Sequence, residues 1–111
     1  MLAFYKIGNL IYTAGVTAND PETQKMVAPG DIIGQTEQIM KNMQAILEEA
    51  GSDLAHIIKT MVFVKDIEDF AKFNEAYKKF FPNNPPARST MQVGNFLGDM
   101  VIEIEAIATE K

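Results

Sequence analysis

Arg88 is the residue in this sequence whose side chain is best suited to bind a small anion. The chain has ten basic residues, and Arg88 is the only arginine among them. A guanidinium group differs from an ammonium group because its planar fork grips a carboxylate through two parallel hydrogen bonds. Arg88 follows a rigid, proline-rich loop at 82–86 and lies near the start of a predicted strand. The residues alone leave two roles open: a carboxylate clamp, or a structural ion pair with an acidic neighbour.

Glu103 is the second candidate, because carboxylates are uncommon in the middle of an apolar strand unless they are paired or functional. It lies between Ile102 and Ile104. A positioned carboxylate can hold a water molecule or transfer a proton. Glu105 has the same place in the alternation, so the pattern does not choose between the two. The alternative is that Glu103 pairs structurally with Arg88 or with a lysine.

The other reactive side chains predict neither a metal site nor a cofactor site. The chain has no cysteine and a single histidine, His56, which is too few ligands for a metal cluster. No serine or aspartate partner stands out for His56, so we predict a structural role for it. Lys59 and Lys65 are candidates for a Schiff base, but nothing in the sequence marks either as activated. The glycines form no phosphate-binding pattern.

Length, charge and hydropathy restrict the class of protein. A chain of 111 residues predicts one domain, 1–111. The net charge of −5 and the dispersed lysines argue against tight binding to nucleic acid. No apolar run approaches the ~18 residues of a membrane span, and the N-terminal residues do not resemble a signal peptide. These patterns predict a cytosolic protein that does not bind membranes.

Hydrophobic periodicity predicts five strands and two helices. The turn pair Gly8-Asn9 divides 4–13 into two strands. The remaining predicted elements are a helix at 31–50, a strand at 56–65, a helix at 66–82, and strands at 87–93 and 101–109. We place Gln35, Glu37, Lys41 and Glu48 on the solvated face of the first helix. The order predicts an α+β two-layer domain, in which two helices pack on one face of a mixed β-sheet.

Alternation along the strands assigns side chains to the two faces of this sheet. One face of the strand at 56–65 carries Ile58, Thr60, Val62 and Val64. The face turned away from the helices is predicted to mix polar and apolar side chains, namely Phe63, Arg88, Gln92, Glu103 and Glu105. A monomer would expose the apolar side chains of such a face to water. The face therefore predicts a subunit interface that contains polar pockets.

Several motifs in the same order resemble the Rid family (RidA/YjgF-like, also known as L-PSP). The block Pro86-Ala87-Arg88-Ser89-Thr90 is similar to the family signature. The resemblance runs from about Gly8 to the C-terminus, and its further motifs are Ala50-Gly51-Ser52, Lys59-Thr60-Met61-Val62-Phe63-Val64-Lys65-Asp66, Asp69-Phe70-Ala71, Phe73-Asn74-Glu75-Ala76-Tyr77 and Ile102-Glu103-Ile104-Glu105-Ala106-Ile107-Ala108.

The resemblance implies a chorismate-mutase-like fold and a homotrimer with clefts between subunits. Family members hydrolyse reactive enamines and imines, such as 2-aminoacrylate, to 2-keto acids and ammonia without a cofactor. A 2-iminobutanoate/2-iminopropanoate-type deaminase is therefore the first function predicted. By position, Arg88 would bind the substrate carboxylate and Glu103 would position the attacking water. Four further positions would contact the substrate: Asn74, Thr90, Ala14 and Gly15.

Two departures from the family pattern bear on activity. The family's Ser-Gly-Gln is Ala14-Gly15-Val16 here, which removes a polar group from the cleft, and the Gly-Pro-Tyr segment that often begins family deaminases is not found. A second function is therefore kept, that of a catalytically weak trimer that binds small carboxylates or regulates a partner. The third is a ribonuclease or translation inhibitor, which the acidic balance and single arginine disfavour.

Overall fold

The described chain starts with a β-hairpin. The computed structural model describes residues 2–111. Strand β1 (Phe4–Ile7) pairs antiparallel with β2 (Leu10–Thr13). Gly8 between them has a φ of 60°, a left-handed conformation that glycine adopts without the steric cost of a side chain. The hairpin therefore forms where the turn residues predict it.

Helix α1 (Ile32–Glu49) is the longer of the two α-helices that the described residues form. Its N-cap is Asp31, whose carboxylate accepts a hydrogen bond from the backbone N–H of Ile33 at 3.1 Å. Gly51, with a φ of 89°, follows its last turn and ends it. The predicted bounds of this helix are confirmed to within a residue at each end.

Helix α2 (Phe70–Lys78) is shorter than the predicted helix at 66–82. A 3₁₀ turn (Ile67–Asp69) precedes it, because the Asp66 carboxylate accepts a hydrogen bond from the N–H of Glu68 and caps this short turn separately. No helix in the part of the chain that the structure describes is long and apolar enough to cross a membrane.

A five-stranded sheet forms the second layer, in the order β1-β2-β5-β3-β4. Its remaining strands are β3 (Ile57–Val64), β4 (Ala87–Gln92) and β5 (Ile102–Thr109). β3 and β4 run parallel, whereas all other neighbours are antiparallel. The parallel pair needs a crossover connection, and α2 lies within it. The sheet is therefore mixed, as predicted.

The core lies between this sheet and both helices. Alternate residues of β3 and β5 are buried there against one stripe of α1 and the aromatic face of α2, including Val62, Val64, Ile102, Ile104, Ile39, Met43, Leu47, Phe73 and Tyr77. Burying one such side chain stabilises the fold by about 1.5–3 kcal/mol. This arrangement confirms the predicted α+β fold with two helices on one face.

The prediction for the first residues of β3 is wrong by one position. The register of β3 against β5 shifts between Ile57 and Lys59, which marks a β-bulge. Ile57 is consequently buried, whereas Ile58 is 47% exposed and does not share the core face of Thr60. Strict alternation assigns the opposite faces, because the pattern contains no sign of the extra residue.

The placement of Gln35 on a solvated helix face is also wrong, because its side chain is fully buried. Its Nε2 donates to the carbonyl oxygens of Ala28 and Asp99, at 3.1 and 2.9 Å, and its Oε1 accepts from the N–H of Val101 at 3.0 Å. Gln35 therefore joins the segment before α1 to the segment that enters β5. Three hydrogen bonds offset the cost of burying the amide.

The other face of the sheet is uncovered in a single chain. Pairing in the ladder places Tyr5, Tyr12 and Ile107 side by side on it, and Met61, Phe63 and Met91 continue the row. Tyr5 and Tyr12 are exposed by 61% and 44%. We call these six side chains, with Lys59, Ser89, Glu103 and Glu105 among them, the open face. Its mixture of apolar and polar groups agrees with the predicted face, except at two positions described below.

Candidate functional site

Arg88 lies on the helix-covered face of the sheet, at the edge strand β4. Its partner in the parallel ladder is Thr60, which is buried and whose hydroxyl hydrogen-bonds the Tyr77 hydroxyl on α2 at 2.8 Å. Paired residues point to the same side, so the Arg88 side chain also turns toward α2. There its Nη1 donates a 2.9 Å hydrogen bond to Oδ1 of Asn74. The two predicted site residues Arg88 and Asn74 are thus in direct contact.

Three aromatic rings of α2 surround the guanidinium group. Its Cζ atom lies 4.9 Å from the ring centroid of Tyr77, 5.3 Å from that of Phe73 and 5.4 Å from that of Phe70. Cation–π attraction at such distances orients the group while leaving its charge unneutralised. Burial raises the pKa of the Tyr77 hydroxyl, so the ring beside Arg88 stays uncharged.

Arg88 has no carboxylate partner among residues 2–111, since none of their salt bridges includes it. Its hydrogen bond to Asn74 is likewise the single side-chain bond it makes to that part of the chain. The intramolecular ion pair, the alternative that the sequence left open, is therefore not formed within residues 2–111. The guanidinium fork keeps donors free for an external anion.

A cavity of about 380 Å³ opens at the guanidinium group. We call it the Arg88 cavity, and its lining residues are Asn74, Tyr77, Lys78, Phe81, Pro85, Pro86 and Arg88. Lys78 is a residue that the sequence reasoning missed. The available signal was spacing, because Lys78 lies four positions after Asn74 and side chains so spaced are neighbours on a helix. The cavity has the size of a small-molecule site.

Glu103 lies in the middle of β5, on the open face. Burial raises the pKa of its carboxyl group, and the nearby charge of Glu105 raises it further. The carboxyl group lies against Gly15, where a Cβ atom would overlap Oε2 of Glu103. A side chain at position 15 would thus displace the Glu103 carboxyl group, and Gly15 joins Glu103 in one local cluster. The structure brings these two predicted site residues together.

Ala14 and Gly15 belong to a bulge that follows β2. The bulge interrupts the backbone hydrogen bonds between β2 and β5. The Thr13 hydroxyl replaces them, because it accepts a 3.0 Å hydrogen bond from the N–H of Ala106 and donates one of 2.9 Å to the carbonyl oxygen of Ala14. Ladder pairing resumes where Val16 bridges to Ile104. Behind the bulge lies a cavity of about 600 Å³, lined in part by Ala14, Gly15, Leu2, Asn42 and Glu49. Ala14 and Gly15 thus lie at a different cavity from Arg88.

Thr90 follows Arg88 by two positions and pairs with Val62, so it also faces the helices. Its hydroxyl oxygen is buried and has no hydrogen-bond partner among residues 2–111. An unpaired buried hydroxyl costs about 1–3 kcal/mol. The predicted role of Thr90 in substrate contact stays a prediction.

Arg88 and Glu103 lie on opposite faces of the sheet. We predicted Arg88 and Gln92 on the same face as Glu103, and this is wrong. Gln92 also faces the helices, because its Oε1 accepts from the N–H of Ile67 at 2.9 Å. Single-strand alternation gives two faces but does not say which one the helices cover, and the parallel ladder of β3 and β4 decides it.

The distance between the two side chains follows from the ladder. Arg88 pairs with Thr60 and Glu103 with Phe63, so they differ by three positions along β3, or roughly 10 Å. They are also separated by two strand spacings, roughly 9.5 Å. Because they point to opposite sides as well, one chain does not bring Arg88 and Glu103 to the same small ligand.

The other reactive residues have local structural partners. Asp53 is the partner of two basic groups. His56 Nδ1 lies 2.7 Å from Oδ1 of Asp53, and Lys111 Nζ lies 3.5 Å from Oδ2 of Asp53. The hydrogen bond from His56 is the main cause of the lowered pKa of Asp53. Lys59 donates a 2.9 Å hydrogen bond to the hydroxyl of Ser89 on the open face. The structural role predicted for His56 stays a prediction, and the contact of Lys59 with Ser89 is a hydrogen bond rather than an ion pair.

Comparison with known proteins places this geometry in a family. Residues 3–110 match the sequence model of the family described as Endoribonuclease L-PSP. A RutC family protein of Pyrococcus abyssi is 47% identical over 103 residues, which are 93% of this chain and 80% of that protein. The chain belongs to the Rid (YjgF/L-PSP) family. Its mixed sheet and two helices are therefore those of a Rid protein.

Two further Rid proteins resemble this chain, one with a named activity and one with a solved structure. The chloroplastic protein of Arabidopsis thaliana named Reactive Intermediate Deaminase A is 44% identical over 104 residues, or 94% of this chain and 55% of that protein. The crystal structure of the YjgF gene product of E. coli superposes with a TM-score of 0.91 at 39% identity, covering 100% of this chain and 88% of that one. Membership in a family that includes reactive-intermediate deaminases supports a deaminase-type role.

Proposed function

We propose that this Rid protein is a 2-iminobutanoate/2-iminopropanoate-type deaminase, which hydrolyses enamine and imine acids to 2-keto acids and ammonia. The observation that carries the proposal is the state of Arg88. Its guanidinium group is oriented by three rings and Asn74, has no carboxylate partner among residues 2–111, and opens on a small cavity. An arginine so placed binds the carboxylate that all these substrates share.

The chemistry needs a water molecule and a group that moves protons. Water adds to the electrophilic imine carbon, and Glu103 takes a proton from it as the new C–O bond forms. The proton then passes to the nitrogen, which gives a carbinolamine. Glu103 next takes the proton of the new hydroxyl group and returns it to the amino group, the C–N bond breaks, and ammonia leaves as the keto group forms. A carboxyl group whose pKa is raised by burial holds a proton more readily than an exposed carboxyl group, which suits it to accept and return one during the reaction. Holding the imine beside an ordered water supplies much of the rate through proximity.

A homotrimer is the assembly that we propose for this reaction. Since Arg88 and Glu103 lie on opposite faces of one sheet, a site that uses both must combine Arg88 of one copy with Glu103 and Gly15 of the next. The open face is apolar enough to be buried between copies, and it carries the Glu103 and Gly15 cluster. The Arg88 cavity lies at the edge strand β4, which supports this arrangement because an edge strand leaves room for the sheet of another copy beside it.

Hydrolysis is tested by generating imino acids in place with an amino-acid oxidase and following keto-acid formation in competition with semicarbazide. The parent protein is expected to accelerate keto-acid release. Arg88→Ala and Arg88→Lys should each lower kcat/KM, the alanine variant by roughly ten- to a hundred-fold, since a charged hydrogen bond contributes about 1.5–3 kcal/mol. No acceleration by the parent, or an Arg88→Ala variant as active as the parent, overturns the proposal.

The shared site is tested by mixing two inactive variants. Arg88→Ala and Glu103→Gln are unfolded together, refolded together and assayed, with each variant refolded alone as the control. In randomly mixed trimers about one quarter of the sites combine an intact arginine from one copy with an intact glutamate from the next. Recovery of about that share of the parent activity supports the shared site, and no recovery in trimers proven to be mixed contradicts it.

A catalytically weak, carboxylate-binding protein is the second candidate. The observation that favours it is Ala14, which contributes no polar side chain beside Gly15 and Glu103. Tight binding of a 2-keto acid that Arg88→Ala abolishes, without imine hydrolysis, would identify this function. Ribonuclease activity stays the least favoured, since the chain has a net charge of −5. RNA cleavage by rigorously purified protein that survives Arg88→Ala would support it.

A further inference from the structure

We infer that Lys78 is a specificity residue of the Arg88 cavity, where its ammonium group selects imines that carry a second carboxylate over imines with apolar side chains. The inference rests on the proposed function and names the substrate class of that site. Such substrates are the imines of acidic amino acids. Arg88 binds the carboxylate next to the imine carbon, and Lys78 binds the one at the end of the side chain.

The charge of the cavity lining is the first observation. Arg88 and Lys78 are both among the seven lining residues, and no lining residue is acidic. The chain as a whole has a net charge of −5. The cavity lining is therefore positively charged, although the protein as a whole is negatively charged. A ligand with two negative groups matches this lining better than a ligand with one.

The position of Lys78 relative to Arg88 is the second observation. Asn74, which binds the guanidinium group, and Lys78 are four positions apart on α2, so their side chains are neighbours on one face of the helix. Their Cβ atoms are expected about 5–6 Å apart. The Lys78 side chain thus starts within one helical turn of the residue that fixes Arg88, and its four-carbon stem gives the ammonium group the reach to bind the second carboxylate of a short diacid.

The present partner of Lys78 does not neutralise it firmly. Its Nζ lies 3.1 Å from Oε1 of Glu75, and the two side chains are 60% and 68% exposed. Ion pairs this exposed are screened by water and are weak. The lysine is consequently free to exchange Glu75 for a ligand carboxylate that Arg88 has already placed in the cavity.

The test compares two imines in three proteins. The parent, Lys78→Gln and Lys79→Gln are assayed with the imines of glutamate and of 2-aminobutyrate, and the ratio of the two kcat/KM values is the readout. Lys79→Gln is the matched control, because Lys79 is the next residue, is exposed and does not line the cavity. It changes the net charge by the same amount.

The ratio in favour of the diacid imine is expected to fall by roughly five-fold in Lys78→Gln, the effect of one charge pair at contact distance in water. The fall should arise mainly from KM, because the lysine binds ground state and transition state alike, and it should shrink in high salt. The Lys79→Gln ratio should stay within about two-fold of the parent. Equal ratios in the parent and Lys78→Gln overturn the inference.

Binding measurements separate this inference from the proposed function. The affinities of 2-oxoglutarate and 2-oxobutanoate for the same three proteins are measured by isothermal titration calorimetry. A preference for the diacid that Lys78→Gln removes supports the role of Lys78, even where the parent hydrolyses no imine and the deaminase proposal fails. The opposite outcome is that the parent hydrolyses both imines while the parent and Lys78→Gln bind the two keto acids with the same preference. This result refutes the role of Lys78 and leaves the deaminase proposal intact.

Discussion

Asn74 accepts a 2.9 Å hydrogen bond from Nη1 of Arg88 through its amide oxygen. A neutral acceptor fixes the direction of the guanidinium group without cancelling its charge. A carboxylate at the same position would do both. Because position 74 carries an amide rather than a carboxylate, Arg88 keeps its positive charge available to bind a ligand.

Asn74→Asp is therefore expected to impair substrate binding while leaving the fold intact. The new carboxylate competes with the substrate for Arg88, and since charged hydrogen bonds contribute about 1.5–3 kcal/mol, KM should rise by roughly ten-fold or more. The melting temperature should stay the same or increase. Asn74→Ala is the control, which removes the acceptor without adding a charge and should have a smaller effect. An aspartate variant with the parent's KM would show that Arg88 does not bind the substrate.

Gly15→Ala should displace the Glu103 carboxyl group, because the added Cβ overlaps its Oε2 atom. A shift of this kind at a reacting group lowers kcat by up to roughly a hundred-fold. The overlapping atom is the movable end of a flexible side chain, so the loss of stability should be about 1 kcal/mol or less. Gly94→Ala is the matched control, since a Cβ there meets no atom within 4 Å. Full activity in Gly15→Ala would remove Glu103 from the mechanism.

Glu105→Gln should move the acidic limb of the pH–rate profile to lower pH. The pKa of Glu103 is raised first by burial and second by the charge of Glu105. Activity that needs the ionised carboxylate rises as pH passes upward through this raised pKa. Removing the charge of Glu105 lowers the pKa of Glu103, so ionisation and activity begin at lower pH. The profile of kcat/KM is the measurement, and a limb that moves upward or not at all contradicts the assignment.

Tyr77→Phe should destabilise the fold, because it leaves the buried hydroxyl of Thr60 without the partner that it has at 2.8 Å. An unpaired buried hydroxyl costs about 1–3 kcal/mol, and each kcal/mol lowers Tm by roughly 4–8 °C in a domain of this size. The double variant Thr60→Val/Tyr77→Phe removes both groups and should recover much of the loss. A double variant that loses the sum of the two single effects would show that the hydroxyls are not coupled.

The positions of most helices and strands could be predicted from the sequence, whereas which of their side chains are buried could be predicted less well. Turn and cap residues such as Gly8 and Asp31 act locally, so the bounds of the hairpin and of α1 followed from the sequence. Those of α2 did not, because Asp66 caps a separate 3₁₀ turn before it. The bulge after Ile57 is set by the register between β3 and β5, which is a property of two strands. Gln35 is buried because of partners at positions 28, 99 and 101, which helical periodicity does not contain.

The candidate site was predicted in its residue types but not in its geometry. Arg88 and Asn74 were both named, and the structure places them in contact. The face of Arg88 was wrong, because the parallel pairing of β4 with β3 turns it toward α2. Lys78 was missed, because an exposed lysine on a helix is typical of solvated surface, and only the structure shows that Lys78 lines a cavity together with Pro85, Pro86 and Arg88.

The rings around Arg88 have a thermodynamic consequence. Phe70, Phe73 and Tyr77 order the guanidinium group before any ligand arrives. Immobilising a flexible side chain during binding costs about 0.5–1.5 kcal/mol of conformational entropy. In this protein that loss has already occurred on folding, so the affinity for a carboxylate depends on rigidity built into α2 as well as on the contacts that the ligand makes.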